Sequence, residues 1–308
     1  MLNIYLGNAC NFNCSYCLQP KSPGVEKKPD LDRMAAFIRN RSIEEVRFWG
    51  GEPLLYFSRI QEIIAGFEQR NIHVSMAMVT NGSLLNKEGA AYLNEKNIFT
   101  CLSFHEEMDP SCLPFLAALK YRSINYLITG RSLYLWDAIN LKLGFERQFL
   151  RPIHVLPIYV NATATCPSGY YLTPRDIDYH IRHLRLLHGV GLGEGVVTTL
   201  RGQWDNRASQ YIPGDARCMN PGHVSVDVTG RVLPCHYADN INDVPESSEY
   251  IPGHGLIPST QRHVNSQECR ACEVLPYCQG GCHLSQTHAT DCLLARKLYD
   301  FLYREIAH

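Results

Sequence analysis

Six short apolar segments alternate with six amphipathic segments over the first two thirds of the chain. Consecutive β-then-α units form a parallel sheet with right-handed crossovers, because each helix packs back onto the sheet. The pattern fits an open doubly wound sheet or a partial barrel, and in both the loops at the carboxyl ends of the strands carry the chemistry. The periodicity predicts strands at 2–6, 44–50, 72–80, 98–104, 124–129 and 153–160, and helices at 31–40, 58–70, 86–96, 114–121, 132–144 and 173–189.

The pattern changes near residue 200, which predicts two domains, 1–200 and 201–308. We expect the polar stretch 202–218 to be a connection and 239–268 to be a loop. Between them, 223–237 alternates apolar and polar residues around a Thr-Gly turn and predicts a hairpin. The end of the chain, 291–308, predicts an amphipathic helix with four inward residues: Leu294, Leu298, Phe301 and Leu302.

The charge balance argues against a nucleic-acid partner, because 29 Lys and Arg residues face 30 Asp and Glu residues without a basic patch. The amino terminus has no basic segment followed by an apolar one, so no secretory signal is predicted. No apolar run reaches the length that spans a bilayer. We therefore expect a cytoplasmic protein that binds neither nucleic acid nor membrane.

Thirteen cysteines are many for such a chain, and an odd number argues against a pure disulfide framework. In a reducing compartment, closely spaced cysteines are more often metal ligands. Three of them, Cys10, Cys14 and Cys17, directly follow the first predicted strand in the stretch CNFNCSYC. Three thiolates can hold an iron–sulfur cluster and leave one iron position open, whereas a zinc site would need a fourth, distant ligand.

Seven further cysteines follow residue 217. Cys218 and Cys235 flank the predicted hairpin, and the stretch CRACEVLPYCQGGC repeats the close spacing of metal ligands. A zinc ribbon is the alternative here. Metal–thiolate bonds would stabilise a segment with few predicted helices or strands. The remaining five cysteines of this group are Cys269, Cys272, Cys278, Cys282 and Cys292.

The triplet resembles the signature of the radical S-adenosylmethionine (SAM) superfamily, with Tyr16 as its aromatic residue. The resemblance implies a partial (β/α)6 barrel and reductive cleavage of SAM to a radical that abstracts a hydrogen atom from substrate. WGGEP after the second strand resembles the family's SAM-binding motif, in which Glu52 would accept from the SAM ammonium. In the same way the resemblance implies SAM contacts at Tyr16, Gly50, Gly51, Glu52, Pro53, Asn81, Ser103 and His105. Many relatives continue after the serine with Asp-Gly, where this chain has His105 and Glu106.

The carboxyl-terminal cysteines resemble the SPASM domain, whose two auxiliary [4Fe–4S] clusters would raise the total to three. This implies that the distal cluster is bound by Cys269, Cys272, Cys278 and Cys292, and the proximal one by Cys218, Cys235 and Cys282. The proximal set is one ligand short. Cys166 could complete it, or a substrate thiolate could bind the open iron, or Cys166 is an ordinary loop thiol.

His236 follows Cys235 at the place where sulfatase-maturing relatives carry an acidic proton acceptor, so it is a candidate base. The histidines of 173–189 (His180, His183 and His188) are predicted to form a solvated face. Cys101 and Cys112 are predicted to be buried small hydrophobic residues.

SPASM relatives mostly modify peptides or proteins, so the resemblance implies a ribosomal peptide or protein substrate that is crosslinked, epimerised or oxidised. It also implies an external electron donor of the flavodoxin or ferredoxin type. Because the sequence begins at the first strand, we expect a separate leader-peptide carrier protein or recognition without a leader. The alternatives are a small-molecule dehydrogenase of the same superfamily and a non-catalytic metal-binding or electron-carrier protein.

Overall fold

The computed structural model describes nine parts of the chain: 1–17, 27–104, 108, 110–132, 135–160, 168–211, 224–233, 267–279 and 288–306. Among these residues, no helix is both long and apolar enough to span a bilayer.

One sheet organises the described residues. Its strands are arranged in the order β6-β5-β4-β3-β2-β1-β7-β8, and all neighbours are parallel except the β7–β8 pair. The first six strands therefore follow one another in space as they do in sequence, which confirms the predicted (β/α)6 arrangement. They are β1 (Leu2–Tyr5), β2 (Glu45–Trp49), β3 (Ser75–Thr80), β4 (Phe99–Phe104), β5 (Arg122–Ile128) and β6 (His154–Tyr159).

The two faces of the sheet differ in chemistry. One face packs against the helices and carries fully buried apolar side chains such as Ile4, Phe48 and Ile124. The opposite face carries half-buried polar side chains, of which Arg47 and Asn125 are examples. Because successive side chains of a strand point to opposite faces, the alternation in sequence decides which face becomes the core.

The helices lie close to their predicted positions. The last of the six shows why: Thr173 and Asp176 form a capping box, and Pro174 occupies the first turn, where it has no intrahelical hydrogen bond to lose. The six helices are α1 (Leu31–Asn40), α2 (Phe57–Gln69), α3 (Lys87–Glu95), α4 (Leu113–Ala118), α5 (Leu135–Phe149) and α6 (Pro174–Gly189).

A seventh helix, α7 (Glu194–Ser209), contradicts the predicted connection at 202–218 over its first eight residues. Only a thin stripe of apolar side chains, Val196, Val197, Leu200 and Trp204, is buried on this helix. Its polar remainder led to the wrong prediction, since burial of a narrow stripe suffices when it packs on other elements. The helix runs through residue 200, and the two-domain division stays a prediction.

The prediction of a solvated histidine face is wrong for His180. This side chain is completely buried, and its Nε2 lies 2.9 Å from the hydroxyl oxygen of Tyr159 at the end of β6. His183 and His188 are half-buried. A buried histidine is tolerated here because a tyrosine hydroxyl satisfies its ring nitrogen, which the sequence pattern could not reveal.

The predicted hairpin is confirmed. Strand β7 (Val224–Asp227) pairs antiparallel with β8 (Val232–Leu233), and Gly230 adopts a positive φ of 74° in the turn. The hairpin is not separate from the first sheet, because β7 pairs in parallel with β1 from Leu2 to Tyr5. The later part of the chain is thereby joined to the strand that leads into the cysteine triplet.

Three helices follow: α8 (Gln267–Arg270), α9 (Leu275–Cys278) and α10 (His288–Tyr299), which continues as a π-helical turn, Asp300–Glu305. The predicted inward residues Leu298, Phe301 and Leu302 are buried, and Leu294 packs against the core. The apolar face of the terminal helix therefore follows the predicted period.

Replacing Tyr159 by Phe removes the hydroxyl that bonds the buried His180 ring. We expect the free energy of unfolding to fall by about 1–3 kcal/mol, because a buried polar group loses a partner. Urea unfolding measures this. The same change at Tyr121, which is 50% exposed, is the control and is expected to have little effect. Equal losses in the two variants would contradict the assignment.

Candidate functional site

The cysteine triplet lies where the sequence places it, on the loop after β1. Cys10 is exposed, and Cys14 and Cys17 are partly buried. The N–H of Cys17 donates to the carbonyl of Cys14 at 3.1 Å, so the second half of the loop is a tight turn. Burial raises the pKa of the Cys10 thiol, and the N–H of Phe12, which donates to its sulfur at 3.4 Å, opposes this rise. Soft sulfur donors on one loop are the donor set of an iron–sulfur cluster.

The GGEP loop after β2 is joined to this cysteine loop by backbone hydrogen bonds. The N–H of Gly51 donates to the Gly7 carbonyl, and the N–H of Glu52 donates to the Ala9 carbonyl, both at 2.9 Å. A Cβ added at Gly51 would lie 2.2 Å from the Ala9 oxygen. The two loops approach so closely that only glycine fits at this position.

Tyr56 and Arg59, which the sequence analysis did not single out, reinforce this junction. The hydroxyl of Tyr56 accepts from the N–H of Ala9 at 2.7 Å, and Arg59 donates to the Leu6 carbonyl at 2.6 Å. A Cβ at Gly7 would lie 2.5 Å from the Tyr56 hydroxyl oxygen. Both side chains belong to the segment that follows GGEP, so the same turn supplies backbone and side-chain contacts to the cysteine loop.

Glu52 is almost completely buried, with 1% of its surface exposed. One carboxylate oxygen accepts from the Leu54 N–H at 2.9 Å and from the Thr80 hydroxyl at 2.6 Å. The other accepts from the Asn81 N–H at 2.7 Å. Burial raises the pKa of this carboxyl, and the three hydrogen bonds offset part of that shift. Glu52 thus ties the loop after β2 to the loop after β3, and its contact with the SAM ammonium stays a prediction.

The loop after β3 also holds the first half of the cysteine loop. Asn81 donates to the Asn11 side-chain oxygen at 3.0 Å, and Asn11 donates to the Ser83 hydroxyl at 2.8 Å. The Asn81 amide nitrogen also lies 4.0 Å from the Cys10 sulfur. The predicted SAM-binding residue Asn81 is therefore at the site, next to the first cysteine.

The second half of the cysteine loop contacts the turn after β6. Ser15 donates to the hydroxyl of Tyr170 at 3.0 Å, and the rings of Tyr16 and Tyr170 are 5.7 Å apart. Tyr170 was not predicted as a site residue. Ser103, predicted as a ribose contact, is half-buried on β4 opposite Asn125 and on the polar face of the sheet.

Four of the carboxyl-terminal cysteines are described: Cys269, Cys272, Cys278 and Cys292, all partly buried. The N–H of Cys272 donates to the Cys269 carbonyl at 3.0 Å. Burial raises the pKa of the Cys292 thiol, the Arg296 guanidinium opposes this rise, and nearby Cys272 and Cys269 add to it. Three of these four cysteines are thus close enough to interact electrostatically.

Seven residues that the sequence analysis discusses lie outside the described parts of the chain: His105, Glu106, Cys166, Cys218, Cys235, His236 and Cys282. Their predicted roles stay predictions. Within the described parts, no three His, Cys, Asp or Glu side chains are arranged as a ready metal site.

Two of the three cysteines between the triplet and the carboxyl-terminal group are buried, as predicted. Cys101 and Cys112 are buried, with 7% and 3% of their surfaces exposed. Burial raises the pKa of Cys101 to about 11, which keeps it a neutral thiol. They therefore serve as control cysteines for experiments on the triplet.

Comparison with known sequences supports the interpretation of this site. Residues 4–105 match the profile of the Radical SAM superfamily, a range that contains the triplet, GGEP and Asn81. The cysteine-type anaerobic sulfatase-maturating enzyme of Clostridium perfringens strain 13 is 24% identical over 97% of this chain and 92% of that protein. The GTP 3',8-cyclase of Chlorobaculum tepidum is 30% identical over only 28% of this chain and 27% of that protein.

Solved structures share the fold over most of the chain. The structure of native anSMEcpe with bound AdoMet and a Kp18Cys peptide has a TM-score of 0.71 at 16% identity, over 99% of this chain and 98% of that one. Streptococcus suis SuiB bound to the precursor peptide SuiA has a TM-score of 0.64 at 17% identity, over 92% of this chain and 71% of that one.

Replacing Gly51 by Ala puts a Cβ against the backbone oxygen of Ala9. We expect a loss of about 1–3 kcal/mol in the free energy of unfolding, because the neighbouring backbone cannot move aside freely. Urea unfolding measures it. The matched control is Gly144→Ala in α5, where the added Cβ meets nothing within 4 Å. That change should stabilise by about 0.5–1 kcal/mol through helix propensity, and a loss at Gly144 with none at Gly51 would contradict the close approach.

Proposed function

We propose that this chain, which carries a radical SAM domain, cleaves SAM reductively and takes a hydrogen atom from a peptide or protein substrate. The observation that carries the proposal is the junction of three loops at the carboxyl edge of one parallel sheet. The cysteine loop after β1 is held by GGEP after β2 and by Asn81 after β3. Loops at this edge are where parallel α/β folds place their ligands.

The triplet fits the cofactor that the superfamily uses. Cys10, Cys14 and Cys17 would hold a [4Fe–4S] cluster, which supplies the electron for breaking the S–C5′ bond of SAM and an iron position for its amino and carboxylate groups. The protein's own contribution is to fix the sulfur-bearing loop. Hydrogen bonds from Gly51, Glu52 and Asn81 do so.

The GGEP loop supports a specific mode of SAM binding. The N–H groups of Gly51 and Glu52 already donate to the cysteine loop, and the Glu52 carboxylate already accepts three hydrogen bonds. The loop would therefore bind the SAM ammonium mainly through backbone carbonyl oxygens, with the buried carboxylate strengthening the negative potential behind them. Glu52 then acts chiefly by holding the loop after β2 against the loop after β3.

The later cysteines are proposed to bind two auxiliary [4Fe–4S] clusters. The electrostatic proximity of Cys269, Cys272 and Cys292 supports a shared distal site, to which Cys278 would contribute the fourth sulfur. Cys218, Cys235 and Cys282 would bind the proximal one. Low-potential clusters can pass an electron between the substrate and an external donor of the flavodoxin or ferredoxin type.

Two observations support a peptide or protein as substrate. A relative that matches nearly the whole chain is a sulfatase-maturating enzyme, and both solved structures described above contain a peptide. The face of the sheet opposite the helices offers hydrogen-bonding side chains such as Asn3, Arg47 and Asn125, which suit a polar chain. A separate leader-peptide carrier protein remains part of the proposal.

The full-length similarity favours oxidation of a Cys or Ser side chain over the other modifications, because it extends over the carboxyl-terminal third as well. Mass spectrometry of candidate peptides separates the alternatives. Oxidation of Cys to formylglycine replaces the sulfur by oxygen and removes two hydrogen atoms. Oxidation of Ser and a thioether crosslink both remove two hydrogen atoms, and only the formylglycine aldehyde reacts with a hydrazide. Epimerisation leaves the mass unchanged in water and adds one deuterium at the Cα when the reaction runs in D2O. A small-molecule dehydrogenase would leave every peptide unmodified.

Anaerobically reconstituted protein with dithionite should release 5′-deoxyadenosine from SAM and hold about twelve iron atoms per chain, the content of three [4Fe–4S] clusters. Replacing Cys10, Cys14 and Cys17 by Ala should abolish release and leave about eight iron atoms. Cys112→Ala is the control, because this buried thiol lies outside the cysteine sets. Full release in the triple variant, or tight zinc in place of iron in the wild type, would refute the proposal.

His236→Gln tests the proposed base. The variant should still cleave SAM but form modified product at least about a hundredfold more slowly, the range lost with a general base. His236→Asp should restore product formation, since an acidic residue is the acceptor in the resembled relatives. Product formation is measured by mass spectrometry, and equal product from His236→Gln and wild type would exclude a base at this position.

A further inference from the structure

Tyr170 connects three loops at the carboxyl edge of the sheet. It belongs to the short turn Ser168–Tyr170 after β6, and only 3% of its surface is exposed. Its hydroxyl accepts from Ser15 in the cysteine loop at 3.0 Å and from Arg131 after β5 at 3.2 Å. One buried oxygen is therefore shared by the loops after β1 and β5.

The ring of Tyr170 also contacts the loops after β5 and β1. The guanidinium carbon of Arg131 lies 4.4 Å from the ring centre, and the ring of Tyr16 lies 5.7 Å away on the cysteine-loop side. The Tyr170 carbonyl accepts from the Gly130 N–H at 3.0 Å. A Cβ at Gly130 would lie 2.4 Å from the Tyr171 oxygen, so the two loops are in direct backbone contact.

This contact joins strands that are not neighbours. Four strands separate β1 from β6 in the sheet. In a flat sheet, five inter-strand spacings would place the two strands about 24 Å apart. The Ser15–Tyr170 hydrogen bond therefore reaches across the carboxyl rim of a strongly curved sheet, from the loop after β1 to the loop after β6.

The cysteine loop thus has two attachments on opposite sides. Its first half, with Cys10 and Asn11, bonds to Asn81 and Ser83 after β3. Its second half, between Cys14 and Cys17, bonds to Tyr170. The three sulfurs can keep one arrangement only if both halves are held, because a loop attached at one end samples many conformations.

We propose that Tyr170 is a positioning residue: its hydroxyl, shared by Ser15 and Arg131, holds the second half of the cysteine loop in the arrangement that binds SAM. The effect on SAM binding rests on the proposed function, whereas the positioning of the cysteine loop does not. A tyrosine that merely fills space would act through its ring, whereas a positioning tyrosine acts through its oxygen. Removing the oxygen while keeping the ring separates the two roles.

The first experiment is amide hydrogen exchange of the reconstituted full-length protein, read by mass spectrometry over peptides that contain residues 14–17. Tyr170→Phe and Ser15→Ala should each speed exchange there about fivefold, the effect of losing one hydrogen bond. The double variant should be no faster than Tyr170→Phe alone, because the Ser15–Tyr170 hydrogen bond is already absent in that single variant. Unchanged exchange, or effects that multiply in the double variant, would overturn the proposal.

The second experiment is a spectroscopic titration with SAM, with iron content checked in each sample. Tyr170→Phe should weaken SAM binding about fivefold or more at unchanged iron content. The matched control is Tyr159→Phe, which also removes a hydroxyl bonded to a buried partner, but on the helix-covered face. Equal SAM affinity in these two variants would overturn the positioning role. A wild type that does not bind SAM would refute the proposed function, and hydrogen exchange would still decide the role of Tyr170.

Discussion

The site depends on the close approach of two loop backbones at the carboxyl edge of the sheet. Gly51 and Glu52 donate to Gly7 and Ala9, and no side chain fits at Gly51 because the Ala9 oxygen occupies its place. Backbone hydrogen bonds of this kind fix a loop without the rotamer entropy that long side chains lose. The backbone just before Cys10 is therefore held in place by the loop that follows β2.

Along the strands beneath this junction, successive side chains point to opposite faces of the sheet. Most side chains that face the helices are apolar and buried, whereas the other face mixes half-buried polar side chains such as Arg47 and Asn125 with apolar ones such as Val79 and Leu127. Partial closure of the sheet leaves that polar face accessible, whereas a fully closed barrel of this kind fills its interior with branched apolar residues. The arrangement separates stability from chemistry: the apolar face stabilises the fold, and the polar face with its rim loops is available to substrate and cofactors.

The carboxyl-terminal third is connected to the same centre through β7. This strand pairs with β1 in parallel, so the hairpin of β7 and β8 extends the same sheet on the side of β1 away from β2. On the other side, the terminal helix packs its buried Leu298 and Phe301 into the core shared with α6. The hairpin and the terminal helix are therefore both packed on the sheet that carries the cysteine triplet.

The order of strands and helices and the parallel sheet could be predicted from the sequence, because periodicity and helix caps are local properties. The spacing of the cysteines predicted candidate sulfur donors in the same local way. The sequence pattern missed α7, whose buried stripe is thin, and it misplaced His180, whose burial depends on Tyr159. Only the tertiary structure decided which loops meet: Tyr56 reaches Ala9 across 47 positions, and Tyr170 reaches Ser15 across 155. Such contacts follow from strand order and sheet curvature, which no short stretch of sequence encodes.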